Sequence, residues 1–324
     1  MIPRALFTSV AKSITTRRAT ALLRPEHRIH LLFGANTDVG KSVISAGLVR
    51  AAASSLSVAT SATLGLSPSV NYIKPLQCGG SDEAFILDQH PKNNKNDYGY
   101  EQLHIACQTL YSWDTPASPH LASRLEDLPV SNDEVLASLR LTLARIDDND
   151  DTEGEGNNIS IVTIIETAGG ALSPSSSSPL NENSDTLGDG NWGWTTQADL
   201  YASLDIPAVF VGDGKLGGIG VTLASLEALW SRGYRIDAVV FVESGVAGGD
   251  IQFGRSNADA LREYVSMNKH HGDSSSILDE DSIICLPPLP HMPLPLSDWY
   301  ESNQGKFMKL HHLLCKRWKN SLSK

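Results

Sequence analysis

The chain has 324 residues, enough for one large α/β domain or two small ones with a sizeable core. Its formal net charge of -11 argues against a nucleic-acid partner, because such partners normally bind a basic face. The four cysteines form no CxxC pair and no apolar run has the length of a membrane span, so we expect a reducing environment, no zinc site and no membrane partner.

Residues 1–27 are set apart from the fold as a targeting segment. The first 25 contain no acidic residue and carry basic residues among serine, threonine and small apolar residues: Arg4, Lys12, Arg17, Arg18 and Arg24. This composition is typical of a transit peptide and lacks the long apolar centre of a secretory signal. A plain basic tail is the alternative. We expect import into the mitochondrial matrix.

A strand, a loop and a helix follow one another between His30 and Ala52. Residues 31–33 are apolar, residues 34–40 form a turn, and Lys41 and Ser42 open an apolar-periodic helix. This is the context of a phosphate-binding loop, in which backbone N–H groups at a helix N-terminus meet the phosphates. Lys41 would add a charge and Ser42 a hydroxyl for a magnesium ion. The alternative is an ordinary βα turn, since the glycine spacing is one residue longer than the standard pattern.

A second strand is predicted over residues 72–76. Pro75 favours an edge or terminal position in the sheet, because proline cannot donate to a strand ladder. Lys74 would lie near the carboxyl end of the strand, where ligands bind in open parallel sheets. A solvated lysine is an equally good interpretation of the local sequence.

Between residues 88 and 158 the pattern is less regular. Residues 88–100 resemble a surface insertion and residues 111–120 a proline-rich loop. A helix is predicted from Asn132, where apolar residues recur at helical spacing. The acidic run over residues 147–155 is interpreted as a solvated loop and not as a cation site.

Residues 159–165 form the clearest strand, apolar and β-branched enough for burial on both faces. The strand ends at Glu166, followed by Gly169 and Gly170. A carboxylate at this point suits magnesium in the manner of a Walker B motif. The alternative is a glutamate that bonds only to neighbouring backbone.

The second half repeats the alternation of strand and helix. Strands are predicted over residues 208–211, 238–242 and 283–286, with Glu243 at the end of the second. The glycine-rich turn over residues 212–220 opens a helix whose N-terminus suits an anion. We therefore predict a doubly wound α/β fold with a mostly parallel sheet, of the P-loop NTPase type, in which the strand ends converge on one crevice.

Taken together, the motifs resemble the dethiobiotin synthetase family. They occur in family order from about residue 28 to 295: GANTDVGKS, YIKPLQCGGSD, SPH, IIETAGGALSP, ADL with IPAVFVGDGKLGGI, and PPLP. The resemblance covers residues 28–296. The GDGKLGGI motif and the transit peptide are most similar to the eukaryotic form, which is often fused to a diaminopelargonate aminotransferase. Residues 297–324 would be a C-terminal linker helix, with the aminotransferase absent from this chain.

The resemblance implies a C–N bond-forming ligase of biotin synthesis. Its substrates would be 7,8-diaminopelargonate, CO2 and ATP, with Mg²⁺ as the metal. ATP activates a carbamate as a carbamic–phosphoric anhydride, and the second amine closes the cyclic urea of dethiobiotin. A homodimer and a fused or associated aminotransferase are implied as partners.

The family's roles transfer to matching positions of this chain. The catalytic set would be Lys41, Lys74 and Thr37. The nucleotide would contact Asp38, Val39, Gly40, Lys41, Ser42, Gly169, Gly170, Glu243, Pro287 and Leu289. The substrate would contact Thr37, Lys74, Cys78, Gly217, Gly218 and Ile219, the last three from the neighbouring subunit. The metal ligands would be Ser42, Asp82 and Glu166.

Two positions depart from the family pattern. Cys78 stands where bacterial members have a serine near the carbamate, and Glu243 where an asparagine reads the adenine. The assignment of Asp82 depends on a short local match beside an insertion.

Three alternatives remain open. A partitioning ATPase of the MinD type would have a lysine at the position of Asn36 and a membrane-binding terminal helix. A cobyrinate synthase would need a glutaminase domain. A non-catalytic relative would have damage at Lys41, Lys74 or Glu166, all of which are intact.

Overall fold

The computed structural model describes residues 26–60, 69–90, 104–148, 161–179, 192–244, 252–268, 278–290 and 296–322. The predicted transit peptide up to residue 25, most of the predicted surface insertion and the acidic run beyond residue 148 lie outside these ranges.

Within the described ranges, seven strands form the main sheet and two form a short antiparallel pair. The main-sheet strands are β1 (His27–Gly34), β2 (Ser69–Cys78), β3 (His104–Trp113), β4 (Ile161–Glu166), β7 (Ala208–Gly212), β8 (Ile236–Val242) and β9 (Ile283–Leu286). The antiparallel pair is β5 (Ser178–Pro179) and β6 (Trp192–Gly193).

The main sheet is parallel throughout, with the order β3-β2-β4-β1-β7-β8-β9. The carboxyl ends of all its strands therefore lie on the same side of the sheet. The predicted parallel sheet is confirmed. β2 is internal, so Pro75 is not on an edge strand. Pairing of β2 with β4 reaches only Ile73, however, and Pro75 lies where β2 has β3 as its one strand neighbour.

Helices cover both faces of the sheet. They are α1 (Lys41–Thr60), α2 (Asp82–Asp88), α3 (Pro119–Leu125), α4 (Asn132–Asp148), α5 (Gln197–Tyr201), α6 (Gly218–Trp230), α7 (Phe253–Asn268) and α8 (Ser297–Leu322). Leu31 and Phe33 of β1 pack into one core and Leu32 into the other, because side chains alternate along a strand. This two-sided burial is the predicted doubly wound arrangement.

The C-terminal helix α8 packs against α1 and becomes part of the second core. Phe307, Leu310 and Leu314 are buried there. The Tyr300 hydroxyl donates to Val43 O at 3.0 Å, one residue after Ser42. The segment expected to be a linker helix is thus a helix that packs on α1, the helix that follows the phosphate loop. Of the helices in the described ranges, none has the length and apolar character that a bilayer span requires.

Candidate active site

The phosphate loop joins the end of β1 to the start of α1. Ala35 N donates to Val211 O of β7 at 2.8 Å, which ties the loop to a neighbouring strand end. Asp38 and Gly40 have φ values of 58° and 95°, so the loop turns sharply before the helix. Ile44 N then donates to Gly40 O at 3.0 Å. The N–H groups that precede this first helical bond have no partner within the helix and can bind an anion.

Lys41 begins α1, and its side chain is buried at the loop. Burial lowers its pKa to about 8, while the negative charge of Glu166 opposes part of that shift. A pKa of about 8 keeps the ammonium form dominant at neutral pH. An ammonium that is buried beside helix N–H groups is a strong partner for phosphate oxygens.

The Glu166 carboxylate lies at the centre of the site, where it accepts four hydrogen bonds, and it is fully buried. Its Oε1 accepts from Ser42 Oγ at 3.0 Å and from Lys74 Nζ at 2.9 Å. Its Oε2 accepts from Ser45 Oγ at 2.7 Å and from the Tyr72 hydroxyl at 3.1 Å. Burial alone would raise the pKa of Glu166, but the positive charges and hydrogen bonds lower it, so the group is ionised.

Lys74 connects the two carboxylates of the site. Its Nζ lies 2.9 Å from Glu166 Oε1 and 2.6 Å from Asp82 Oδ2. Burial disfavours the ammonium, yet the charges of Glu166 and Asp82 outweigh it and raise the pKa of Lys74. Lys74 is therefore a buried cation within the site, and the interpretation as a solvated lysine is wrong.

The oxygen atoms around Lys74 Nζ are of the kind that binds magnesium. The ammonium already lies between the carboxylates of Glu166 and Asp82, with the Ser42 hydroxyl bonded to the same Glu166 oxygen, so these residues accommodate a cation here. The described part of the chain has no group of three His, Cys, Asp or Glu side chains placed for a metal ion. Mg²⁺ does not need one, since it is usually held by one or two carboxylates, water and substrate phosphates. The donor set fits that ion.

Gly169 and Gly170 lie against the phosphate loop. A Cβ atom on Gly170 would lie 3.0 Å from Ala35 O and 3.2 Å from Asn36 Cα. A Cβ on Gly169 would lie 3.8 Å from Thr37 Oγ1, and Gly169 also has φ of 64°. Glycine thus permits a close approach between the end of β4 and the loop. Thr37 itself is exposed, with its hydroxyl near Gly169.

Cys78 ends β2 and is half-buried. Burial raises the pKa of its thiol to about 12, and the charge of Lys74 opposes this shift. The thiol is therefore protonated at neutral pH and is a weak hydrogen-bond donor near Lys74.

Glu243 has a structural role that the resemblance did not imply. Its Oε1 accepts from Gly254 N at 2.8 Å and its Oε2 from Arg255 N at 2.9 Å, at the start of α7. Both oxygens are thereby engaged by backbone, as in a helix N-cap. Pro287 and Leu289 follow β9 at the same edge, where Glu243 N donates to Leu286 O at 3.0 Å.

Gly217 to Ile219 open α6 at the carboxyl end of β7. Gly217 has φ of 79°, and a Cβ on Gly218 would lie 2.1 Å from Asp213 O. These two positions therefore require glycine. The preceding Leu216 is 80% exposed. This element lies at the carboxyl ends of the strands, as the phosphate loop does, because β7 is parallel to β1.

Sequence reasoning missed two residues of the site, Tyr72 and Ser45, which both bond to Glu166. The spacing of each residue from a predicted site residue could have identified it. Tyr72 precedes Lys74 by two residues in a strand and so points to the same face. Ser45 follows Ser42 by three residues in a helix and shares its face.

Curated sequences with significant similarity include dethiobiotin synthetases of two kinds. The bifunctional dethiobiotin synthetase/7,8-diamino-pelargonic acid aminotransferase, mitochondrial, of Oryza sativa subsp. japonica is 31% identical over 323 residues, covering 86% of this chain and 33% of the rice protein. The ATP-dependent dethiobiotin synthetase BioD of Phenylobacterium zucineum is 27% identical, covering 66% of this chain and 76% of the bacterial one. The chain spans 34% or less of the length of the bifunctional relatives it matches.

Comparison with solved structures gives weaker similarity. The structure of pNOB8 ParA bound to nonspecific DNA is 12% identical, with 91% of this chain and 99% of that chain covered and a TM-score of 0.44. Similarity at this level has no bearing on function. No family model matches the chain.

Proposed function

We propose that the chain is a member of the dethiobiotin synthetase family and makes dethiobiotin from 7,8-diaminopelargonate, CO2 and ATP, a proposal that its similarity to curated dethiobiotin synthetases supports. One amine of the substrate takes up CO2 to form a carbamate. A carbamate oxygen attacks the γ-phosphorus of ATP, and ADP leaves. The second amine then attacks the carbonyl carbon of the mixed anhydride, loses a proton and expels phosphate.

The observation that supports this proposal best is the convergence of Lys41, Lys74 and Glu166 beside the phosphate loop. Negative charge develops on the phosphoryl oxygens during transfer, so fixed cations and N–H groups supply most of the catalysis. Lys41 is a buried ammonium at the helix N-terminus, and Lys74 is a second buried ammonium held at 2.9 Å from Glu166. We assign Lys41 to the phosphates and Lys74 to the carbamate.

Ser42, Asp82 and Glu166 would hold Mg²⁺, which when bound would neutralise charge on the phosphate oxygens. Thr37 and the loop N–H groups would bind the diamine and the phosphates. The remaining proposed contacts of nucleotide and substrate are those named from the resemblance. Glu243 is the exception: both of its carboxylate oxygens are engaged by α7, and we propose that it does not read the base.

The experiment is an assay of the purified chain with ATP, Mg²⁺, bicarbonate and diaminopelargonate. We expect dethiobiotin and ADP in equal amounts, and a loss of about 10²- to 10³-fold in rate in the Lys41→Ala variant. ADP release that does not depend on the diamine would contradict the proposal.

We also propose a homodimer in which Gly217 to Ile219 of one subunit bind the carboxylate of substrate held by the other. The exposed Leu216 and Val221 flank this helix start, and exposed apolar side chains there suit a protein contact. Leu216→Asp should lower the sedimentation-equilibrium mass to that of a monomer and raise the KM for the diamine. An unchanged dimer would exclude this surface.

Two further proposals concern cellular context. Mitochondrial import would depend on residues 1–27, which can be tested by attaching them to a fluorescent protein.

The rice relative is named as a bifunctional enzyme with an aminotransferase, and we propose that this chain is fused to or works with such an activity. Co-purification of the aminotransferase activity with the native protein would test that association.

The partitioning-ATPase alternative has one structural test. Asn36 occupies the position of the lysine expected in those proteins, and its Oδ1 accepts from Thr37 N at 2.8 Å. The Asn36 side chain thus stabilises the phosphate loop to which it belongs. ATP hydrolysis stimulated by vesicles or DNA, in place of the diamine, would favour this alternative.

A further inference from the structure

The two oxygens of Glu166 have different partners. Oε1 bonds to Ser42 and Lys74, which the proposed function places at the metal and the carbamate. Oε2 bonds to Ser45 and Tyr72, neither of which the proposed function uses. Oε1 therefore faces the groups proposed to react, and Oε2 is fixed by two hydroxyl groups on its other side.

We propose that Tyr72 is a positioning residue, whose hydroxyl fixes Glu166 Oε2 so that Oε1 is directed at the divalent cation. The inference rests on the proposed function, because that function supplies the cation. It concerns the orientation of a ligand, since the Tyr72 hydroxyl bonds to Glu166 and is not among the groups that would hold the metal.

The geometry gives Tyr72 this role through the sheet. Tyr72 and Lys74 lie on the same face of β2, which is adjacent to β4, and Ile73 pairs with Ile165 just before Glu166. Tyr72 is fully buried, so its hydroxyl has no access to bulk water. A hydrogen bond stabilises a buried phenol, and Tyr72 has such a bond to Oε2 at 3.1 Å. With Ser45 on the same oxygen at 2.7 Å, rotation of the carboxylate would break two buried hydrogen bonds.

Groups that orient a metal ligand in this way commonly change metal affinity by about 10- to 100-fold when removed. Tyr72→Phe removes only the hydroxyl and retains the ring, so the core packing is preserved. We expect Mn²⁺, a probe that shares the oxygen preference of Mg²⁺, to bind the ADP complex of the full chain about 10- to 100-fold more weakly in this variant.

The chain offers a matched control in Tyr201, which is also fully buried and whose hydroxyl has no hydrogen-bond partner in the described part of the chain. Tyr201→Phe should leave Mn²⁺ affinity, measured by electron paramagnetic resonance titration, unchanged. Ser45→Ala should weaken binding as Tyr72→Phe does and serves if that variant does not fold. The two effects should combine less than additively, because both hydroxyls act on one oxygen.

The outcomes separate the two proposals. Equal Mn²⁺ affinity in wild type and Tyr72→Phe, or an equal loss in Tyr201→Phe, would overturn the positioning role and leave the synthetase activity untouched. Absence of Mn²⁺ binding to the wild-type chain would remove the metal site of the proposed function and this inference with it. A loss confined to Tyr72→Phe and Ser45→Ala supports it.

Discussion

Lys74 Nζ lies 2.9 Å from Glu166 Oε1, although 92 positions separate the two residues in the chain. The parallel register brings them together, because Ile73 of β2 pairs with Ile165 of β4 and the next residue of each strand is Lys74 or Glu166. Strand pairing thereby specifies this ion pair, and the sheet fixes its geometry.

Lys74→Met should reduce both activity and stability. It removes a charge from the site, at a cost of about 10²- to 10³-fold in rate, and leaves the buried Glu166 carboxylate without its nearest cation, at a cost of about 3–5 kcal/mol in the free energy of unfolding. Steady-state kinetics and urea denaturation measure the two effects. Lys309, whose contact with Asp281 is exposed, is the control, and Lys309→Met should change neither quantity.

Nucleotide affinity should fall as pH rises above 8. The pKa of Lys41 is lowered to about 8 by burial, so its ammonium is present below that pH and is lost above it. The Kd for ADP should therefore increase by as much as about tenfold per pH unit above pH 8. Lys41→Arg keeps its charge over this range and should have a flat profile. An equal decline in both proteins would assign the pH effect to another group.

Glu243→Ala should lower stability and leave base preference unchanged. The carboxylate accepts the N–H groups of Gly254 and Arg255 at the start of α7, and loss of such a cap costs about 0.5–2 kcal/mol. Thermal unfolding measures that cost, and competition among ATP, CTP and GTP measures base preference. A variant with altered preference and native stability would show that Glu243 contacts the base.

Two glycine substitutions should have opposite effects on stability. A Cβ on Gly47 of α1 would lie 2.1 Å from Phe307 Cε1 of α8, so Gly47→Ala should destabilise the protein by about 1–3 kcal/mol through overpacking. Gly220 of α6 has open space around its Cα, and Gly220→Ala should stabilise the protein by about 0.5–1 kcal/mol. Chemical denaturation of both variants tests whether α8 packs tightly against α1.

Buried strands were predictable because each is an apolar run between turns, as β4 illustrates. β3 (His104–Trp113) was not predicted, and its last residues were wrongly assigned to a loop. The physical reason is its edge position: its one strand neighbour is β2, and many of its side chains are half-buried, so the sequence has no continuous apolar run.

The site was predictable where charge and position coincide, as for Lys41 and Glu166. Tyr72 was not, because a tyrosine in a buried strand is ordinarily a core residue and only its hydroxyl distinguishes it. The capping role of Glu243 depends on α7, a helix that begins at Phe253 and that was not identified from the sequence. A contact of this kind, between residues of two different elements, leaves no pattern in the local sequence.

The bond from Tyr300 to Val43 spans 257 positions and has a consequence for synthesis. The helix α1 precedes α8, which covers it, by more than 230 positions in the chain and is therefore synthesised well before it. Until residues 297–322 have emerged, the apolar face of α1 stays open to solvent and to chaperones. The packing of α1 should therefore be completed only after α8 has been synthesised.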